Sequence, residues 1–310
     1  MRGEFRSTLD LVHCGPTPLT IRYELVGPQD APTLVVAGGI SAGRHAFANV
    51  SDQTFGWWES QSAVLRSYRL LSIDWLGADG DLDRPIDAVD QAQAVLAALD
   101  HLSIRTAAFV GASYGGMVGM HCAAIAEDRI VALLAISAAH RSSPFTSAQR
   151  ALQRQAVELG ERLGSPEAGV ALARKLAVLT YRTPEEFGER FAAPSAIEGG
   201  RVRASSEPYL DHMGNKHSAR MSSVAYRRLS ESIDLHRIDP ATITVRATFV
   251  AVDSDQLVLA ADIEALAQGV HGSCLIRIPS LYGHDAFLKE EFAVAEIIET
   301  FLNSLEQLND

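Results

Sequence analysis

The sequence is poor in cysteine and contains no long apolar segment. Its three cysteines, Cys14, Cys122 and Cys274, lie far apart, and no Cys-x-x-Cys pair occurs. This pattern is typical of a reducing cytoplasm and argues against a structural metal site. No run of about 18 apolar residues is present, so we expect neither a transmembrane helix nor an export signal. The expected location is therefore the cytoplasm.

Basic residues are also scarce relative to acidic ones. The chain has 27 lysines and arginines against 38 aspartates and glutamates, which gives a net charge of -11. Nucleic acids and anionic membranes attract basic surfaces, so neither is expected as a partner. Apolar residues make up 47% of the chain and charged residues 21%, as in ordinary soluble globular proteins.

Strand and helix patterns alternate along most of the chain. The predicted strands are residues 9–12, 21–26, 33–37, 70–74, 106–110, 130–137, 244–252 and 274–278. The predicted helices of this part are residues 88–102, 117–125, 260–268 and 286–305. Pro16 and Pro18 predict a turn between the first two strands. The alternation predicts an α/β fold with a mostly parallel sheet flanked by helices.

The pattern changes between residues 139 and 239. Helical periods persist there, and no strand-like run occurs for about a hundred residues. We interpret residues 139–239 as a helical lid inserted into a core that residues 1–138 and 240–310 form.

A serine lies where a predicted strand meets a predicted helix. Residues 111–115 read Gly-Ala-Ser-Tyr-Gly, with Ser113 at the centre. In a strand-turn-helix context this motif exposes a nucleophilic hydroxyl, because the flanking glycines let strand and helix approach closely. The backbone N–H of Tyr114 would then point to the place where an oxyanion forms. The alternative is a tight turn with an incidental serine.

Two later strands end in loops that carry an acid and a histidine. Asp253 and Asp255 follow strand 244–252, and His284 follows strand 274–278. Because the carboxyl ends of parallel strands share one edge of the sheet, these residues are expected near Ser113. The order Ser, Asp, His is that of α/β hydrolases, so we predict a catalytic triad. Asp253 and Asp255 both remain candidates for the acid, whereas Asp262 fits a solvated helix position.

Several segments resemble the homoserine O-acetyltransferases. They are residues 111–117, 173–187, 209–214, 254–257 and 283–288. The resemblance implies an α/β-hydrolase core, a helical lid, a homodimer formed through the lid, and acyl-CoA as a co-substrate, with no bound cofactor. It also favours Asp255 over Asp253 as the triad acid.

The resemblance further implies an amino-acid site in the lid. Arg174 and Tyr181 are two helical turns apart and can share one helix face. In the family this face binds the carboxylate of the amino acid, and the aspartate after the catalytic histidine, here Asp285, binds its amine. The alternative is a solvated arginine beside a core tyrosine.

The loop after strand 33–37 departs from the family pattern. It reads Ala-Gly-Gly-Ile-Ser-Ala at residues 37–42, and the backbone N–H of Ile40 is our candidate for the second oxyanion donor. Arg44 and His45 follow this loop and could meet a dicarboxylic acyl group such as succinyl, although such a pair is more often solvated.

These features predict a homoserine O-acyltransferase of methionine biosynthesis that works by a ping-pong mechanism, with acetyl favoured over succinyl as the acyl group. An L-serine O-acyltransferase, an ester hydrolase with the same triad and a non-enzymatic receptor remain alternatives. The candidates for binding the CoA phosphates are Arg201, Arg203, Lys216, Arg220, Arg227 and Arg228.

Overall fold

A computed structural model describes residues 1–306 and contains one large sheet. The eight strands are ordered β1-β2-β4-β3-β5-β6-β9-β10. They are β1 (Arg2–Leu11), β2 (Gly15–Val26), β3 (Thr33–Ala37), β4 (Arg69–Ile73), β5 (Ala107–Ala112), β6 (Ile130–Ile136), β9 (Arg246–Val252) and β10 (Cys274–Ile278). All neighbours from β4 to β10 pair in parallel, so their carboxyl ends lie at one edge.

The helices are α1 (Ser62–Leu65), α2 (Ala88–His101), α3 (Tyr114–Ile125), α4 (Pro144–Arg162), α5 (Pro166–Tyr181), α6 (Pro184–Arg190), α7 (Glu207–Ser218), α8 (Ser223–Leu235), α9 (Ala260–Gly269), α10 (Ala286–Lys289) and α11 (Glu291–Glu306). The predicted final helix is thus divided, because Glu290 leaves helical geometry between α10 and α11. Among residues 1–306, no helix is both long and apolar enough to span a bilayer.

The central strands are buried on both faces and supply two cores. Phe109, Leu133 and Phe249 point to the face that packs on α2 and α3. Their neighbours along the strands point to the opposite core, which includes Ile298 and Phe301 of α11. This follows from the two-residue period of a strand, and it explains why these strands read as continuous apolar runs in the sequence.

The first two strands differ from the prediction. They form a long antiparallel hairpin in which Pro16 pairs with Asp10 and Pro18 with Thr8, so both prolines lie inside β2 rather than in a turn. The prolines are tolerated because β4 pairs only with residues 23–26 of β2, which leaves the far side of β2 without a partner strand at residues 16 and 18.

Helices α4 to α8 lie between β6 and β9, in the segment predicted as a lid. The expectation that this segment contains no strand was wrong. Two exposed three-residue strands, β7 (Ala196–Glu198) and β8 (Arg201–Arg203), form a hairpin there. Gly199 and Gly200 make its turn with φ of 56° and 78°, values that favour glycine. The exact boundaries of core and lid stay predictions.

Candidate active site

Ser113 lies on a strained turn between β5 and α3. Its φ of 55° and ψ of -121° are unusual for a residue with a side chain. The flanking glycines are required by close packing, since a Cβ on Gly111 would lie 2.4 Å from the carbonyl oxygen of Gly115. A Cβ on Gly115 would lie 2.2 Å from the carbonyl oxygen of Ala37 at the end of β3. The glycines therefore set the height at which the Ser113 hydroxyl projects.

The structure brings Ser113, His284 and Asp255 into one hydrogen-bonded chain. Nε2 of His284 is 2.7 Å from Oγ of Ser113, and Nδ1 is 2.7 Å from Oδ2 of Asp255. Oδ1 of Asp255 accepts hydrogen bonds from the backbone N–H groups of Leu257 and Val258, at 2.8 and 2.9 Å. Both carboxylate oxygens therefore have donors, which holds the acid in place beneath the histidine ring.

The other aspartates are occupied elsewhere. Asp253 forms an ion pair with Arg277 at 2.6 Å, on the exposed surface beside β10. Asp262 lies in the first turn of α9. Of the three aspartates considered from the sequence, Asp255 is therefore the one that contacts His284.

The surroundings of His284 favour its protonated form. Burial opposes protonation, but the charge of Asp255 and its hydrogen bond outweigh burial, and Asp285 adds to them, so the pKa of His284 is raised above its usual value. The more distant charge of Arg150 acts in the opposite direction. A stabilised imidazolium is what a general base needs after it has taken the proton of a serine hydroxyl.

Two backbone donors are free near Ser113. The N–H groups of Tyr114, which opens α3, and of Ile40, in the loop after β3, have no hydrogen-bond acceptor within residues 1–306. The side chain of Tyr114 points away into the core, where its hydroxyl pairs with Oγ of Ser232 in α8. The first turn of α3 adds the positive end of the helix dipole at this point.

The hydroxyl of Ser113 opens into a cavity of about 180 Å³ between the sheet edge and the lid. Its lining is Gly39, Ile40, Ser41, Ala42, Trp57, Ser113, Arg174, Tyr181, Ile233, Leu257, His284, Asp285, Phe287 and Leu288. The predicted site residues that act through their side chains therefore line this one cavity: Ser113, Arg174, Tyr181, His284 and Asp285. Asp255 is buried and does not line it.

Arg174 supplies an unpaired positive charge to this cavity. Its guanidinium carbon lies 5.0 Å from the centre of the Tyr181 ring, and its Nε is buried without an acceptor. No carboxylate within residues 1–306 forms an ion pair with it. Burial, together with the charge of Arg174, lowers the pKa of His217 to about 3, so His217 is neutral beside the arginine at neutral pH. The cavity therefore presents a positive charge to which an anionic group of a ligand can bind.

Asp285 has a partner that the sequence analysis missed. Its carboxylate forms an ion pair with Nε of Arg182 at 3.0 Å. Arg182 also pairs through Nη1 with Glu186, at 2.9 Å. Arg182 could have been noticed in the sequence, because it directly follows Tyr181 in the segment that resembles the family. Its pairing with Asp285, about a hundred residues further along the chain, could not be predicted from residue spacing.

Other candidates lie away from the cavity. Arg44 is 3.5 Å from Asp74, His45 lies 3.1 Å from Glu24, and neither residue lines the cavity, so the structure gives no support to contact of this pair with the acyl group. The candidate CoA-binding arginines 227 and 228 pair with acidic residues, and none of the six basic candidates lines the cavity. Among residues 1–306, no group of three or more His, Cys, Asp and Glu side chains is arranged to hold a metal ion.

Comparison with known proteins agrees with this architecture. A family model of the alpha/beta hydrolase fold matches residues 32–290. A homoserine O-succinyltransferase from Xanthomonas campestris pv. campestris is 49% identical over 98% of this chain and 84% of its own length. A homoserine O-acetyltransferase from Thermus thermophilus is 34% identical over 70% of this chain and 58% of its own length. The chain belongs to the homoserine O-acetyltransferase family, within the α/β hydrolases.

The fold of this family member also matches a solved structure. The homoserine O-acetyltransferase from Bacillus anthracis superimposes with a TM-score of 0.85 and covers 98% of each chain at 15% identity. At this identity the likeness shows the fold alone. The predictions of the family and of the α/β-hydrolase fold are thereby confirmed.

Proposed function

We propose that this protein transfers an acyl group from acyl-CoA to the side-chain hydroxyl of L-homoserine. The observation that carries the proposal is the cavity in which Ser113, hydrogen-bonded to His284, faces the unpaired guanidinium of Arg174. A neutral ester has no anionic group that could pair with a half-buried arginine. An amino acid has a carboxylate, and an enzyme that positions an amino acid needs a partner for it.

The first half-reaction acylates Ser113. Nε2 of His284 takes the hydroxyl proton while Oγ attacks the thioester carbon, and the backbone N–H groups of Tyr114 and Ile40 stabilise the oxyanion. When the tetrahedral intermediate collapses, the carbon–sulfur bond breaks and the His284 imidazolium returns its proton to the CoA thiolate. Asp255 keeps the ring oriented and stabilises its charge throughout.

The second half-reaction transfers the acyl group to the amino acid. His284 now takes the proton of the homoserine hydroxyl, whose oxygen attacks the acyl-enzyme, and the proton then passes to Oγ of Ser113 as the ester leaves. Water competes for the same intermediate. Transfer prevails if Arg174 and Tyr181 hold the carboxylate and Asp285 holds the amine, because a positioned hydroxyl reaches an effective molarity on the order of 10⁵ M or more.

The proposal also specifies which acyl group is transferred. The sequence favoured acetyl, but the name of the relative that is 49% identical supports succinyl instead, and we propose succinyl-CoA as the donor. L-Serine is shorter than homoserine by one methylene, a difference worth only about 1–3 kcal/mol, so it stays the second candidate acceptor.

The reaction is tested by CoA release from succinyl-CoA and acetyl-CoA, each with homoserine, with serine or without an acceptor. Ser113→Ala serves as the blank. We expect release that depends on homoserine and yields the O-acyl ester. Release that is independent of any acceptor would identify an ester or thioester hydrolase and overturn the transferase proposal.

The Arg174→Met variant distinguishes a transferase from a hydrolase, because only the transferase needs Arg174 to bind its acceptor. We expect the KM for homoserine to rise on the order of 10- to 100-fold, since a hydrogen bond to a charged group contributes about 1.5–3 kcal/mol. Hydrolysis of a neutral ester should change little. Arg162→Met, at an exposed position at the end of α4, is the matched control for loss of a lid arginine.

We also propose a cytoplasmic homodimer formed through the lid. Support comes from a row of exposed leucines at helical spacing: Leu152 and Leu159 on α4, Leu163 directly after it, and Leu172 and Leu176 on α5. Two packed helices that expose such a surface commonly bury it against a partner. Sedimentation velocity tests this, since Leu159→Glu should convert a dimer into monomers, whereas a wild-type monomer would overturn the dimer proposal.

A further inference from the structure

A second, smaller cavity lies beside the active-site cavity, on the side of the lid. It measures about 30 Å³, roughly the room of two water molecules and thus of one carboxylate group. Ile40, Tyr181, Ile233 and Leu257 border both cavities, so the two are adjacent. The boundary between them is therefore formed mainly by apolar side chains.

The far side of the small cavity is charged. Arg150 of α4 lines it, with a side chain only 8% exposed. Its Nε and Nη2 are each 2.7 Å from Oδ1 of Asp234 in α8, and Nη2 also lies near the Ser142 and Ser147 hydroxyls. Nη1 forms no hydrogen bond within residues 1–306, so one edge of the guanidinium is left without a protein partner.

Asp234 does not neutralise this region. Its other oxygen, Oδ2, accepts a hydrogen bond from Nη1 of Arg154 at 2.7 Å. Two guanidinium groups thus share one carboxylate, which leaves an excess of one positive charge. Excess positive charge beside a cavity favours the binding of an anionic group there.

The two cavities place Arg150 and Ser113 on either side of the same side chains. Ser113 lines the larger cavity, Arg150 lines the smaller one, and Ile40 and Leu257 border both. An acyl chain that leaves Ser113 along Ile40 and Leu257 therefore passes apolar side chains first and an unpaired guanidinium at its end. Two methylenes followed by a carboxylate match this order of surfaces.

We propose that Arg150 binds the terminal carboxylate of a succinyl group on Ser113, and so makes the enzyme specific for a dicarboxylic acyl donor. This inference rests on the proposed acyltransferase function and assigns a second anion site, distinct from the amino-acid carboxylate site at Arg174. It involves no additional chemical step, because Arg150 binds a part of the acyl group that does not react.

The test compares succinyl-CoA with butyryl-CoA, an acyl donor of equal carbon number that ends in a methyl group. In the wild type we expect kcat/KM to favour succinyl-CoA. Arg150→Met should reduce that preference on the order of 10- to 100-fold, the value of one hydrogen bond to a charged group, and Arg150→Lys should restore part of it. Arg154→Met is the matched control, because Arg154 shares Asp234 but does not line the cavity. It should reduce the preference much less than Arg150→Met does, because it removes the excess charge but leaves the guanidinium at the cavity in place.

A binding measurement keeps this test separate from the reaction. In a Ser113→Ala background, calorimetry should show tighter binding of succinyl-CoA than of butyryl-CoA, and Arg150→Met should remove the difference. If CoA release proves independent of an acceptor, the transferase proposal fails, whereas this affinity ratio still tests Arg150. A wild type that favours butyryl-CoA, or a preference that Arg150→Met and Arg154→Met change equally, would overturn the proposal and leave Arg150 a structural link between α4 and α8.

Discussion

A buried pair of histidines joins the nucleophile helix to the end of the lid and should make the protein sensitive to acid. His121 of α3 is 6% exposed and His236, just after α8, is 2% exposed. Nε2 of His121 lies 3.0 Å from Nδ1 of His236, and Nε2 of His236 donates to the carbonyl oxygen of Ala139 at 2.9 Å. In this arrangement Nδ1 of His236 accepts a hydrogen bond from Nε2 of His121, so protonation of His236 would break the contact between the two rings.

Burial lowers the pKa of His121 from 6.5 to about 4, and burial together with the neighbouring His121 lowers that of His236 to about 3. The unfolded chain binds protons on both residues below pH 6.5, while the folded chain does not. Stability is therefore fully present above pH 6.5 and is lost as the pH falls towards 4. Each pH unit costs about 1.36 kcal/mol per histidine, so at pH 5 the loss is roughly 2 kcal/mol for each, and roughly 4 kcal/mol for the pair.

Urea unfolding at pH 7.5 and pH 5.0, followed by tryptophan fluorescence, measures this loss. The double variant His121→Gln/His236→Gln retains polar side chains that do not titrate, and a glutamine at 236 can still donate to Ala139. We expect the difference in unfolding free energy between the two pH values to shrink by roughly 4 kcal/mol in the variant. The exposed His271→Gln is the control for loss of a histidine. An equal pH dependence in the wild type and the double variant would refute the reasoning.

Two further substitutions test the geometry of the site. Asp255→Asn should lower kcat by about 10²- to 10⁴-fold, because the amide cannot stabilise the imidazolium, whereas Asp253→Asn should stay within about twofold in the same steady-state assay; similar effects of both would contradict the assigned triad. Gly115→Ala should lower the free energy of unfolding by at least about 3 kcal/mol, because its Cβ meets the carbonyl oxygen of Ala37 at 2.2 Å. Gly39→Ala is the control, because a Cβ at Gly39 has no heavy atom within 4 Å, and we expect it to change stability little. A Gly115→Ala variant as stable as the wild type would contradict the close packing at this turn.

The sequence predicted those parts of the site that depend on local geometry. Ser113 could be identified because a nucleophile turn needs glycines at fixed offsets, and His284 because it follows a parallel strand at the shared sheet edge. The choice of Asp255 came from the family resemblance. Periodicity alone left Asp253 equally eligible, since both residues follow the same strand and only the course of the loop decides which one reaches the histidine.

Long-range pairings could not be predicted from the sequence. Arg182 meets Asp285 through the packing of α5 on the loop after β10, and Arg150 meets Asp234 through the packing of α4 on α8. No local pattern encodes these contacts, because they depend on how helices of the lid cross one another. The hairpin at Gly199 and Gly200 is different, since a Gly-Gly pair is a recognisable turn signal, but its strands are too short and too exposed to show an apolar pattern.

The most direct test of the account is to detect the acyl group on Ser113. The enzyme is mixed with succinyl-CoA without an acceptor, quenched rapidly and digested, and the peptide that carries Ser113 is analysed by mass spectrometry. We predict a succinylated serine that disappears when homoserine is added, with formation of an equal amount of O-succinylhomoserine. An unmodified Ser113, or an acyl group that water removes as fast as homoserine does, would contradict transfer through this residue.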